Sequence, residues 1–160
     1  MLQVRKLWLS VAIAAALAVA AAGNVSAQAG DFRVGLEFGQ PSAVLIVRPA
    51  PLDFRLGYNF LSGAEYLFLS ADYRIVDAVP IIDFVHLFLG VGAYTQFGAT
   101  TPFQLGARVP VGLQVFLIDR TLEFFVEAAP TVQFVPTVAF NLAAIQGWVG
   151  FTVRLPKFWR

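Results

Sequence analysis

Between Leu105 and Pro130 the chain reads LGARVPVGLQVFLIDRTLEFFVEAAP. Leu105, Ala107, Val109, Val111, Leu113, Val115 and Leu117 share one parity, and Gly106, Arg108, Pro110, Gly112 and Gln114 share the other. After a turn at Asp119 and Arg120 the alternation resumes, with Leu122, Phe124, Val126 and Ala128 set against Glu123, Phe125 and Glu127. A period of two is the signature of a strand with two unlike faces.

The same rhythm predicts eight strands: residues 31–39, 42–48, 52–60, 64–74, 84–97, 105–117, 122–128 and 139–155. The second is almost wholly apolar, so its faces are poorly defined. Residues 75–83 carry no decided pattern. Pro110 falls inside the sixth strand, where a closed sheet has no edge to hide a missing donor, and is expected to mark a bulge. Pro130 is expected to end the seventh strand and open a loop over residues 130–137 that carries Val132, Phe134 and Val135.

Which face meets water follows from what each parity holds. The polar parity is rich in Gly90, Gly92, Gly106, Gly112 and Gly150, and after residue 27 the only lysine is Lys157. Such a face makes a poor aqueous exterior, whereas small and charged side chains suit a narrow lumen. The fold class expected is therefore all-β: an eight-stranded antiparallel up-and-down transmembrane β-barrel with its apolar parity toward lipid. Backbone groups in hydrocarbon must all be paired, so a spanning sheet has to close, and strands of about ten residues cross at a tilt. Phe32, Phe38, Tyr58, Phe60, Tyr73, Phe84, Phe97, Phe103 and Trp159 stand at strand ends as candidate interfacial girdles. Arg33, Glu37, Asp53, Arg55, Asp72, Arg74, Arg108, Glu123, Glu127 and Arg154 fall on the inward parity as a candidate ionic network. An unpaired charge in a low-dielectric interior is costly, so the mixture of signs matters, and arginine forks can bridge two carboxylates.

The first segment alters the compartment. Arg5 and Lys6 precede an apolar run from Leu7 to Ala22, and Gly23-Asn24-Val25-Ser26-Ala27 supplies small residues around a cut. This is the pattern of a cleaved secretory signal peptide over residues 1–27, with cleavage after Ala27 or Ala29 and the barrel domain over 28–160. Removing Arg5 and Lys6 leaves a charge near −1, which provides no electrostatic footprint for nucleic acid. Hydrophobic residues make up 58% and charged residues 13%, against about 45–50% and about 25% in soluble domains. After Ala27 no uninterrupted apolar stretch approaches the length of a spanning helix.

Candidate chemistry is sparse. With no cysteine and a single histidine, His86, neither a disulfide framework nor a zinc site is expected. No serine lies near His86, which is expected as a lumen histidine bonded to a carboxylate rather than as a catalytic base. The glycines alternate within strands and form no phosphate-cradling loop. No catalytic residue, cofactor or metal is expected.

The segments LGARVPVGLQ, FFVEAAPTVQFVPTVAFNL and GWVGFTVRL, with FGQPSAV and SADYR, resemble a small outer-membrane barrel family best known from spirochaetes and compared with the OmpA transmembrane domain. Arg108, Pro110, Gly112, Glu127 and Pro130 occupy its Arg-x-Pro-x-Gly and Glu-x-x-Pro positions. The resemblance implies an eight-stranded barrel with a charged interior and no established catalytic role. The C-terminal end also resembles the signal read by barrel-insertion machinery, with Gly150, Val153 and Leu155 at its Gly and hydrophobic positions; Trp148 and the tail 156–160 depart from it.

The expectation is a monomeric outer-membrane protein of structural, envelope-anchoring or surface-interaction role. Its partners would be outer-membrane lipid, the barrel-assembly machinery during insertion, and a surface ligand through the 130–137 loop. A narrow ion or small-solute pore and a soluble periplasmic lipid-binding barrel are the alternatives.

Overall fold

A computed structural model of the chain describes residues 31–39, 43–59, 65–98, 102–140 and 145–156. The expected signal peptide over residues 1–27, Phe60 and Trp159 lie outside the described residues. The strands are β1 (Phe32–Gly39), β2 (Ala43–Pro49), β3 (Leu52–Asn59), β4 (Tyr66–Ile82), β5 (Val85–Phe97), β6 (Gln104–Arg108), β7 (Val111–Leu117), β8 (Leu122–Ala129), β9 (Thr131–Val135), β10 (Ala139–Phe140) and β11 (Gln146–Arg154). They make one antiparallel sheet that closes: β1 pairs β11, β11 pairs β8, β8 pairs β7, and β7 returns to β5. Taken as staves, β6 with β7, β8 with β9 and β10 with β11 each count once, and the barrel is eight-stranded.

Following the register from Phe38 one way, through Ala43, Tyr58 and Leu67, reaches Phe97 on β5. The other way, through Val149, Val126 and Leu113, reaches Leu87. The two routes meet β5 ten residues apart, the stagger that tilts the strands of a closed barrel by roughly 35–45°.

Pro110 and Pro130 do not introduce bulges. Gly92 pairs Arg108 and Leu89 pairs Val111, so β5 keeps one register across the gap between β6 and β7. Likewise Arg108 pairs Thr131 and Val111 pairs Ala128. Each proline still accepts: Gly90 N–H donates to Pro110 O at 2.8 Å, and Val109 N–H donates to Pro130 O at 3.1 Å. A proline nitrogen has no hydrogen to return, so one bond of each pair is lost and the strand is notched without being shifted. The expected 130–137 loop is therefore mostly strand β9, whose pairing with β6 continues past the proline.

Irregularity instead gathers in residues 75–83, where β4 runs on to Ile82 and turns at Asp83 and Phe84 into β5. Register shifts separate Arg74 from Val76, Val76 from Val79, and Pro80 from Ile82, and Ala78 has a φ of 53°.

Inside, large rings sit opposite glycines. Tyr94 pairs Gly106, Phe88 pairs Gly112, Phe125 pairs Gly150, Phe68 pairs Gly57 and Trp148 pairs Gly39. A Cβ at Gly112 would stand 2.4 Å from the Phe88 ring and 2.3 Å from Val126 O; at Gly150 it would stand 2.8 Å from the Phe125 ring. The inward glycines are what allow rings to lie across the neighbouring strand. Replacing Gly112 by Val is expected to destabilise the barrel by about 3 kcal/mol through overpacking, read as a lower urea midpoint at unchanged slope; an unchanged midpoint would contradict this packing.

Candidate functional site: a charged lumen

The buried charged residues are Arg33, Arg48, Arg55, Arg74 and Arg108 with Glu37, Asp53, Asp72, Glu123 and Glu127. Five cations face five anions, so the lumen is neutral as a whole. Alternation places them there: Arg33 and Glu37 on β1, Asp53 and Arg55 on β3, Asp72 and Arg74 on β4, and Glu123 and Glu127 on β8 point inward two or four residues apart.

Arg55 is the hub of the upper half, nearer the 60–65 and 98–103 connections. Its Nε donates to Glu37 at 3.0 Å, its Nη1 to Asp72, and its Nη2 to Glu127 at 2.6 Å. Arg108 Nη2 donates to the other Glu127 oxygen, its Nη1 donates to Gln146 Oε1 at 3.0 Å, and its Nε lies 3.2 Å from Asp72. The Arg-x-Pro-x-Gly and Glu-x-x-Pro segments thus meet through Arg108 and Glu127, with Gly112 opposite Glu127 in register. Both guanidinium groups stand over Trp148, at 5.7 Å for Arg55 and 4.5 Å for Arg108, a cation–π contact strengthened by exclusion of water.

The lower half, toward residues 31 and 154, is organised by Asp53 and Glu123. Arg48 Nε and Arg74 Nε donate to the two oxygens of Asp53 at 2.6 and 3.0 Å. Glu123 accepts from Arg48 Nη1 at 2.6 Å and from the Thr152 hydroxyl at 2.7 Å, and Arg33 Nη1 lies 3.6 Å away. Arg55 Nη2 stands 3.7 Å from Asp53 and joins the two halves. At the mouth Arg74 Nη1 reaches Asp77 and Gln114 at 2.8 Å each; the β4 irregularities turn Asp77 toward the lumen.

Arg154, expected in the network, instead sits at the rim. Its side chain is 38% exposed and donates to Asp31. Burial pushes the Asp31 carboxyl up, yet the Arg154 hydrogen bond and the charges of Arg33 and Arg154 outweigh it and hold its pKa below the ordinary value. Its stabilising contribution is therefore present at neutral pH and is lost as pH falls through that depressed pKa.

Arg48 was missed by pattern reading because β2 is apolar on both parities. The one signal was its shared parity with Val44 and Ile46, which face inward. Gln114, Gln146 and Thr152 are further network members, on the inward parity of β7 and β11. Among the described residues His86 meets no carboxylate: it is half-buried with its ring 5.3 Å from that of Phe116.

Two apolar clusters share the lumen with the ions. Val44, Phe68, Tyr94, Ala129 and Trp148 pack in one, and Ile46, Phe88 and Phe125 in the other. Outside, Leu36, Leu45, Leu56, Val91, Val111, Leu113, Phe124, Val126 and Val149 are exposed, and on the regularly paired stretches of the described strands their parity carries no charged side chain; the exposed charges Glu65, Asp77, Asp83, Asp119 and Arg120 lie at turns and in the irregular end of β4. Of the expected girdle, Phe38, Tyr58, Phe97 and Phe103 stand toward one end, and Phe32, Tyr73 and Phe84 toward the other. All are exposed except Phe97 and Phe103, which are half-buried.

Among the described residues no cluster of His, Cys, Asp and Glu is arranged to hold a metal ion. No family model, no curated protein and no solved structure matches the chain.

Arg55→Met is expected to cost about 3–5 kcal/mol, because Glu37, Asp72 and Glu127 then lose a shared partner in the interior. Arg154→Ala should cost below about 1 kcal/mol, as an exposed pair does. Equilibrium unfolding of both variants checks the contrast; equal losses would contradict the division between lumen and rim.

Proposed function

We propose that this chain is a small outer-membrane β-barrel whose role is structural: a closed, ion-filled cylinder that anchors in and stabilises an envelope membrane without performing catalysis. The observation that carries this reading is the inverted polarity, with ten charged side chains buried in the lumen and an apolar outward face on the regularly paired strands, Asp77 in the irregular end of β4 being the exposed charge within a described strand. Hydrocarbon is the medium that such an exterior fits, and a closed sheet leaves no unpaired edge within it. The uninterrupted staves β1 to β5 run from 7 to 17 residues, a range that brackets the roughly 9–11 residues of a tilted crossing. Aromatic side chains near both ends suit the two interfaces.

The leader pattern and the resemblance to the small spirochaetal barrel family agree with export and with insertion by the barrel-assembly machinery. A soluble lipid-binding barrel needs an apolar interior and a wetted outside, the reverse of what is found. A pore needs an open path, whereas Trp148, Phe68 and the Arg55 network cross this lumen. The non-catalytic reading is supported by His86, whose ring packs on Phe116, and by the five buried carboxylates, which are engaged with arginines.

Fractionation tests the reading. The protein is expected in the outer-membrane fraction, resistant to carbonate extraction, and to migrate differently on a denaturing gel before and after boiling. Recovery in the aqueous fraction with no mobility difference would overturn it. In planar bilayers the purified protein is expected to be silent, and steady unitary conductance would move the assignment to a pore.

A further inference from the structure

The neutrality of the lumen is global and not local. In the upper half Arg55 and Arg108 serve three carboxylates, Glu37, Asp72 and Glu127. That leaves three buried cations in the lower half, Arg33, Arg48 and Arg74, with two buried carboxylates, Asp53 and Glu123. The remaining counter-charges there, Asp31 and Asp77, lie at the mouth with side chains 36% and 44% exposed; Asp77 bonds Arg74 Nη1 at 2.8 Å, but part-exposed partners offset buried positive charge less than buried ones do.

Each of the three arginines also keeps a buried nitrogen without an acceptor among the described residues: Arg33 Nη1, Arg48 Nη2 and Arg74 Nη2. All three guanidinium groups lie within 4.0 Å of the Glu123 carboxylate, at 3.6, 2.6 and 4.0 Å, so the three nitrogens belong to one neighbourhood. The faces of these groups are covered by rings: Phe116 under Arg33 at 5.3 Å, Phe125 under Arg48 at 5.5 Å and Phe88 under Arg74 at 4.1 Å. Their remaining hydrogens can be satisfied only edge-on, from within the lumen. A buried donor without an acceptor is costly, and a surplus of buried positive charge more so.

From this geometry we infer that the lower lumen binds a small monovalent anion, of halide or nitrate size, between Arg33, Arg48 and Arg74. Water would satisfy the donors but not the charge. A dianion such as phosphate or sulfate would meet Asp53 and Glu123 at close range. A small monovalent acceptor answers both demands. This site is independent of the membrane reading, since it depends only on the closed, charged lumen.

The test uses the full mature chain folded in detergent micelles at constant ionic strength, with gluconate replaced stepwise by chloride, bromide or nitrate. The expected result is a saturable rise in Tm with the three small anions and none with sulfate, together with bromide anomalous density among the three guanidinium groups in crystals. Glu123→Gln removes a competing negative charge and is expected to tighten bromide binding about tenfold, while Arg33→Met is expected to weaken it about tenfold. Should Glu123→Gln fail to fold, Arg33→Met and the bromide density decide alone. A Tm that is indifferent to anion identity, with water only at that position, overturns the inference; a weakened rather than tightened Glu123→Gln site overturns it as well.

Discussion

A guanidinium or carboxylate taken out of water must find its counter-charges within hydrogen-bond reach, because the interior supplies no screening of its own. In this barrel Arg55 meets that demand with Glu37, Asp72 and Glu127 drawn from three other strands. Those strands can present the acids to Arg55 only in one register. A slip of one residue would turn an entire row of ions outward and a row of Leu, Val and Phe inward. The ion pairs contribute specificity of pairing in this way, whatever their net contribution to stability.

Filling the cylinder is the second demand. Eight strands enclose little space, and the charged groups occupy only part of it. Rings laid over facing glycines take up the remainder, Phe88 over Gly112 and Phe125 over Gly150 among them, and the same rings underlie Arg74 and Arg48. Charge and packing are therefore not separate layers. Removing a ring uncovers a guanidinium, and adding a Cβ at the facing glycine displaces the ring. The notches at Pro110 and Pro130 are tolerated because the pairing on either side of each proline keeps the closed sheet in register.

Parity alone located most of this interior, since a side-chain period of two leaves no freedom in a strand with one charged face. Arg33, Glu37, Asp53, Arg55, Asp72, Arg74, Arg108, Glu123 and Glu127 are where alternation put them. Reading failed where the two faces are chemically alike or where a local rule was applied too strongly. In β2, Ala, Val, Leu and Ile occupy both sides, so Arg48 could not be assigned until the register with β1 and β3 was known. Pro130 is not the terminator that its missing donor suggests, because the neighbouring strand β6 holds β9 in line beyond it. Residues 75–83 resisted assignment because repeated register shifts abolish any fixed period. Arg154 had the right parity but lies at the last position of its strand, where the rim offers Asp31 and water in place of the network. Depth along the barrel axis is not encoded in alternation.

In the proposed membrane role the outward face of the strands contacts hydrocarbon while the ions are sealed inside. Because the chain has no cysteine, a spin label can be placed singly at each position of β3 in the protein reconstituted into vesicles. Collision rates with oxygen should peak at Phe54, Leu56 and Tyr58, and those with a water-soluble nickel chelate should be low throughout the strand. High nickel collision rates at Leu56, or an oxygen profile without a period of two, would contradict the account.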